Sequence, residues 1–208
     1  MNTLDGASRR SFLKQVLSGA ALLSACGGRK LLAAEPGETA AKSRVVVARD
    51  VQLRGTGSTV ESGRMLKLLD RAMQAQFDRD KPVEAWRRVV LPGQTVGVKV
   101  NTLGGRGIAS NLQLVEAICE RLQEAGIKAS DIVVLDGDSE EMEHGGFLVA
   151  MGGDRVQCYG TDRTGYEQEL VEQGSVGSQL SKILTRRCNV LINVPVLKDY
   201  DGAGITCV

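Results

Sequence analysis

Apolar residues recur along this chain with two different periods, and the two periods alternate. Met65, Leu68, Leu69, Ala72, Met73 and Phe77 repeat at helical spacing and predict a helix over Glu61 to Phe77. Leu112, Val115, Ile118, Cys119 and Leu122 predict a second, closed by Gly126. Ser110, with Gln113 three residues on, reads as the capping box that opens it. Between and around these lie short unbroken apolar runs. Val45 to Ala48, Thr95 to Val100, Asp131 to Leu135 and Asn189 to Val194 predict strands buried on both faces, and Arg155 to Tyr159 a weaker one. Pro82 to Arg88 reads as a short helical piece, Leu91 to Gln94 as a turn, and Leu180 to Leu184 as helical. Strands alternating with helices imply an α/β fold: a mainly parallel sheet with flanking helices, built from βαβ units.

The first 43 residues follow different rules. Ser8-Arg9-Arg10-Ser11-Phe12-Leu13-Lys14 precedes an apolar run from Gln15 to Ala25. That run is about 10 residues, half of the roughly 20 that a spanning helix needs. A pair of arginines before a short apolar core is the pattern of a twin-arginine export signal, so Arg9 and Arg10 are its reading point. The expected partner is the twin-arginine translocation machinery, and the expected location is the periplasm or the outer side of the cytoplasmic membrane. Leu23-Ser24-Ala25-Cys26 adds a lipobox, in which Cys26 becomes a lipidated N-terminus that anchors the protein to a membrane surface without spanning it. Cleavage near Ala34 or Ala41 is the alternative, with Cys26 discarded. Residues 27–43, rich in Gly and Ala and holding Pro36, read as a flexible linker, and 44–208 as one α/β domain.

Composition narrows the function classes. The formal net charge is +1, and the leader through Cys26 removes Arg9, Arg10 and Lys14 against Asp5, leaving the rest near neutral. With no basic excess and only 3% aromatic residues, a nucleic-acid partner is not expected. Of the five cysteines, Cys119, Cys158, Cys188 and Cys207 follow the leader, and none falls in a C-x-x-C pair. The chain therefore shows no iron–sulfur cysteine cluster, and no cofactor is assigned. The closing run Gly204 to Val208 is apolar and β-like, which reads as a domain cut short.

Chemistry is expected at the carboxyl ends of the strands, where open parallel sheets hold their ligands. Three such ends carry polar residues: Lys99-Val100-Asn101, Asp136-Gly137-Asp138, and Asn193 through Lys198. Lys99 and Lys198 suit an anionic group; Asn101 and Asn193 suit a polar ligand; Asp136 and Asp138 suit a hard cation or a general base. His144, the one histidine, follows a run of glutamates and could join Asp136 and Asp138 as a metal ligand. The competing readings are an Asp-Gly-Asp turn and a surface histidine. Gly104-Gly105-Arg106-Gly107 lacks the Gly-Lys-Ser/Thr ending of a phosphate loop.

Four segments together resemble the domain-of-unknown-function family 362: Val96 to Asn101, Leu114 to Ile118, Ile132 to Gly137, and Leu191 to Lys198. The resemblance runs from about Arg44 to the end, and many members of that family carry twin-arginine leaders. In that family the last segment continues through Gly-x-Thr to a Lys-Asn pair. Here Gly204-Ile205-Thr206 is present and the chain stops soon after; Tyr200 stands where a His is frequent. Iron–sulfur modules of some members have no counterpart here. The resemblance implies the fold and a ligand rim, not a reaction. Three functions remain open at this point. One is an exported protein that binds a small anionic or metal-linked ligand at the rim, as an enzyme or accessory protein of redox metabolism. The second is a non-catalytic, membrane-anchored lipoprotein module for binding or assembly. The third is a metal-dependent enzyme using Asp136, Asp138 and His144.

Overall fold

A computed structural model describes residues 43–54, 59–201 and 204–206. The export signal, Arg9, Arg10, Cys26 and most of the linker lie outside the described residues. By its internal contacts the chain divides into two units, and the account below concerns the larger one, residues 44–171 and 177–208.

The unit is an α/β fold with a four-stranded, all-parallel sheet. Its strands are β1 (Val96–Val100), β2 (Ile132–Leu135), β3 (Gln157–Cys158) and, after a hairpin, β6 (Val190–Val194). The spatial order is β3-β2-β1-β6. Helix α1 (Ser62–Phe77) and the short α2 (Pro82–Trp86) precede the sheet; α3 (Leu112–Glu124) joins β1 to β2; α4 (Ser139–His144) follows β2; α5 (Lys182–Arg186) precedes β6. The helical stripe of α3 packs on one face of the sheet: Val115, Ile118, Cys119 and Leu122 meet Val98, Val100, Ile132 and Val134 in one buried cluster. Each fully buried Val, Leu or Ile contributes about 1.5–3 kcal/mol relative to exposure. Met142 of α4 and Phe147 belong to the same cluster, so both crossovers that run outward through β2 to β3 cover this face. Helix α1 lies against α3, where Arg121 holds Asp70 by two 2.7 Å hydrogen bonds.

The other face is thinner. Val133, Leu135 and Tyr159 are covered by Ile183 of α5. On this face β6 leaves Leu191 49% exposed. The chain thus winds one way from β1 through β2 to β3. It then passes to the opposite face through α5 and lands on the other side of β1. The order in which strands are added therefore reverses at β1, while β1 and β6 remain parallel.

Local signals explain most boundaries. Gly126 has φ +108°, a left-handed value that a side chain resists, and Ile127 N–H reaches back to Leu122 O at 3.0 Å to seal the last turn of α3. The start of α3 differs from the sequence expectation. Asn111, not Ser110, caps it, its side chain accepting from Leu114 N–H at 3.0 Å. Ser110 is used elsewhere, as described below. Val45 to Ala48 forms no strand: Val45 is 81% and Val47 71% exposed, and among the described residues no strand pairs with the run. Leu180 is not helical either. It lies in β5 (Val176–Ser181), which pairs with β4 (Tyr166–Gln173), and the helix begins at Lys182. Both hairpin strands are almost wholly exposed, so they carry no apolar alternation that would have announced them. A last ribbon pairs β7 (Lys198–Tyr200) antiparallel with β8 (Gly204–Thr206). Among the described residues no helix is long and apolar enough to cross a membrane.

Candidate functional site at the carboxyl rim of the sheet

Strand register decides which rim residues meet. Lys99 on β1 is the partner of Leu135 on β2 and of Asn193 on β6, so all three point to the thinner face of the sheet. One residue past β2, Asp136 turns toward Lys99, whose Nζ lies 3.0 Å from Asp136 Oδ1. Lys99 also donates to Val100 O at 2.7 Å. Asp136 Oδ2 accepts from both the backbone N–H and the hydroxyl of Thr102, each at 2.7 Å. Its Oδ1 accepts in addition from Gly137 N–H at 2.8 Å. The side chains of Lys99 and Asp136 are only 21% and 14% exposed. Burial by itself would raise the Asp136 pKa. The Thr102 donors and the Lys99 ammonium outweigh it, and the carboxyl is held below its ordinary value. Asp136 is therefore a fixed carboxylate that holds the partly exposed Lys99 side chain at the rim.

Asn101, the residue after β1, is buried at 5% exposure. Its backbone N–H donates to Ser110 Oγ at 2.8 Å, and the Ser110 hydroxyl donates onward to Val194 O at 2.5 Å. This one hydroxyl laces the end of β1 to the end of β6. Asn101 Nδ2 donates to Thr206 Oγ1 at 3.4 Å, and Lys198 donates to the carbonyls of Leu103 and Ile108. The 101–110 loop is thereby tied to the β7–β8 ribbon. Lys198 spends its ammonium largely on those carbonyls. Asn193 is exposed beside Lys99.

The acidic residues expected as metal ligands have other employment. Asp138 caps α4, accepting from Glu141 N–H at 3.0 Å, and His144 is exposed at the far end of that helix. Among the described residues no group of three His, Cys, Asp or Glu side chains is placed to hold a metal ion. The structure thus brings Lys99, Asp136 and Asn193 together, places Asn101 and Lys198 beside them as fasteners of the loop, and sends Asp138 and His144 elsewhere. Asp138 and His144 stand at opposite ends of α4, the first as its N-cap and the second as its last residue.

Small hydroxyl residues complete the rim in roles that the sequence pattern does not announce. Thr102, Ser110, Ser139 and Thr161 are each at most 3% exposed, and all four hold the rim. Ser139 donates its hydroxyl to Asp162 Oδ1 at 2.7 Å and accepts from Gly160 N–H at 3.0 Å; Thr161 N–H donates to Asp136 O at 2.9 Å. The available signal was position: Thr102, Ser139 and Thr161 each stand within a few residues of a strand's carboxyl end, whereas Ser110 comes at the far end of the loop that follows β1. Two concavities lie away from this rim. One, of about 600 Å³, is polar and lies along α1; the other, of about 470 Å³, lies along α3.

The architecture is that of an open parallel α/β sheet whose strand order reverses at β1, between β2 and β6. Compared with known proteins, the chain matches no family model, no curated protein and no solved structure.

Proposed function

We propose that this protein is exported by the twin-arginine pathway and binds a small anionic ligand at the carboxyl rim between β1 and β6. The observation that carries the reading is the reversal of strand order at β1. At such a switch point neighbouring crossovers leave toward opposite faces, so a crevice opens where no helix can close it. Lys99 and Asn193 stand at the two sides of that crevice, with Asp136 fixing the direction of the Lys99 ammonium. A carboxylate, phosphate or sulfate group would meet Lys99 on its exposed side and accept from the Asn193 amide. The resemblance to the domain-of-unknown-function family 362 in the segments that end at these residues supports the same rim.

The test is a thermal-shift titration of the purified domain with inorganic phosphate, sulfate, citrate and malonate. At least one should raise the Tm of the wild type, and Lys99→Met and Asn193→Ala should each remove most of that rise. Asn193 is exposed, so its variant keeps the fold even if Lys99→Met does not. An equal response in all three proteins, or no response to any of the anions, overturns the reading.

Export rests on Arg9 and Arg10 ahead of a short apolar core. Replacing both with lysine should leave the precursor in the cytoplasmic fraction, whereas the native chain appears outside the cytoplasm. A double-lysine variant exported like the native chain would rule out the twin-arginine route. Cys26, in its lipobox, is the proposed point of attachment to the membrane surface.

A further inference from the structure

The groove along α3 is built unlike the rim, and its residues are not shared with it. Its floor is formed by Val115, Cys119, Val134, Phe147, Val156 and Cys158. Its lip on the α3 side carries Glu116, Glu120 and Glu124, one turn apart and all exposed, and every charged residue that lines it is acidic. Arg121 answers part of this charge, at 3.4 Å from Glu120 and 2.7 Å from Glu124, but it is also committed to Asp70. The floor itself is uncharged. Burial pushes the Cys119 thiol up to about 12 and the Cys158 thiol up to about 11, so both stay neutral at physiological pH. At the groove's edge Leu148 is 82% exposed, which extends the apolar surface outward.

We propose that this groove binds an amphiphilic cation: an apolar chain lying on the floor, with an ammonium-type head group against Glu116 and Glu120. The volume of about 470 Å³ is within the size range of small-molecule sites, roughly 300–1,000 Å³. From Leu112 to Gln123 the groove follows α3 for roughly 16 Å, the reach of a medium-length chain. An anionic amphiphile of equal length would bury the same carbons yet place its head among carboxylates. The selectivity is therefore set by the lip, and the affinity by the floor. This site stands whether or not the rim binds anions.

The full chain would be titrated calorimetrically with decyltrimethylammonium and with decanoate, each below its micellar concentration. The ammonium compound should bind about tenfold more tightly, a preference that shrinks as salt is added. Glu116→Gln combined with Glu120→Gln should bring the two ligands to within about twofold of one another. Leu148→Lys puts a competing cation at the groove's edge. Because Leu148 is exposed, that variant should weaken the ammonium ligand about fivefold or more without lowering Tm. Equal affinity for the two head groups, no binding of either, or indifference to Leu148→Lys would each overturn the proposal.

Discussion

Asp136→Ala is expected to lower the stability of the domain at neutral pH by about 3 kcal/mol, the scale seen when one partner of a buried ion pair is removed. The change leaves the Lys99 ammonium, 21% exposed, without its counter-charge. It also strands the N–H and hydroxyl of Thr102, a residue only 1% exposed, both of which donate to Asp136. Each stranded buried donor adds about 1–3 kcal/mol of desolvation unless water reaches it, so the estimate is a low one. Denaturant unfolding of the wild type, Asp136→Asn, Lys99→Met and the double variant isolates the pair. The double variant should be less destabilised than the sum of the two single changes, because removing both charges leaves none buried and unpaired. Strict additivity would mean that the two side chains are not coupled.

The same pair fixes a pH dependence. The folded-state pKa of Asp136 is depressed, so its contribution is present above the ordinary carboxylate range, about pH 4, and is lost as pH falls through the lower folded value. The stability gap between wild type and Asp136→Asn should therefore narrow on acidification below about pH 4 and stay constant from about pH 5 to 8. A gap that persists unchanged into strong acid would show that the carboxylate charge is not what Thr102 and Lys99 stabilise.

Gly160→Ala should be at least as damaging, by about 3 kcal/mol or more, above the usual range for an added methyl group in a packed interior. The cause is steric and not conformational, since Gly160 has an ordinary φ of −83°. A Cβ there would lie 2.6 Å from both Asp138 C and Ser139 N, and 2.3 Å from Asp162 Oδ1. The Asp162 side chain can turn aside, but the Asp138–Ser139 backbone cannot move without opening the N-terminus of α4 and the Ser139 hydroxyl contacts. A large fall in Tm, with loss of any ligand response at the rim, is the expected outcome. An alanine variant as stable as the wild type would mean that β2 and β3 do not end in the close contact described.

The register of the Lys99–Asp136 contact illustrates how far periodicity reaches. Val96 to Val100, Ile132 to Leu135 and Val190 to Val194 were legible as buried strands because unbroken apolar runs in a βαβ context have few other places to go. Helix α3 was legible because its stripe repeats at helical spacing and Gly126 ends it. Val45 to Ala48 has the same local chemistry as those strands, yet among the described residues no strand pairs with it and it stays exposed. A strand is defined by hydrogen bonds to another segment, and a single run of residues does not encode which segment that is. The β4–β5 hairpin fails in the opposite way, since its strands pair while exposing nearly every side chain.

The site divides along the same line. Lys99, Asn101, Asp136, Asn193 and Lys198 were nameable from the sequence because polar residues at or just past the end of an apolar run mark strand ends. Thr102, Ser110, Ser139 and Thr161 were not, because a hydroxyl acquires a role only from what it touches. Ser110 shows this most clearly. It sits two residues before the start of a helix, where its type suggests a cap, but its hydroxyl lies between Asn101 and Val194, residues 9 and 84 positions away. By itself, then, the sequence determined the α/β class and the strand ends that form the rim. Only the tertiary structure decided that β6 returns beside β1, so that the strand order reverses there. It also decided that Asp138 caps a helix and that a neutral, acid-lipped groove follows α3. The physical reason is common to all three. Local periodicity fixes which face of an element is apolar, but strand order, and every contact between distant residues, depends on how those faces are packed against one another.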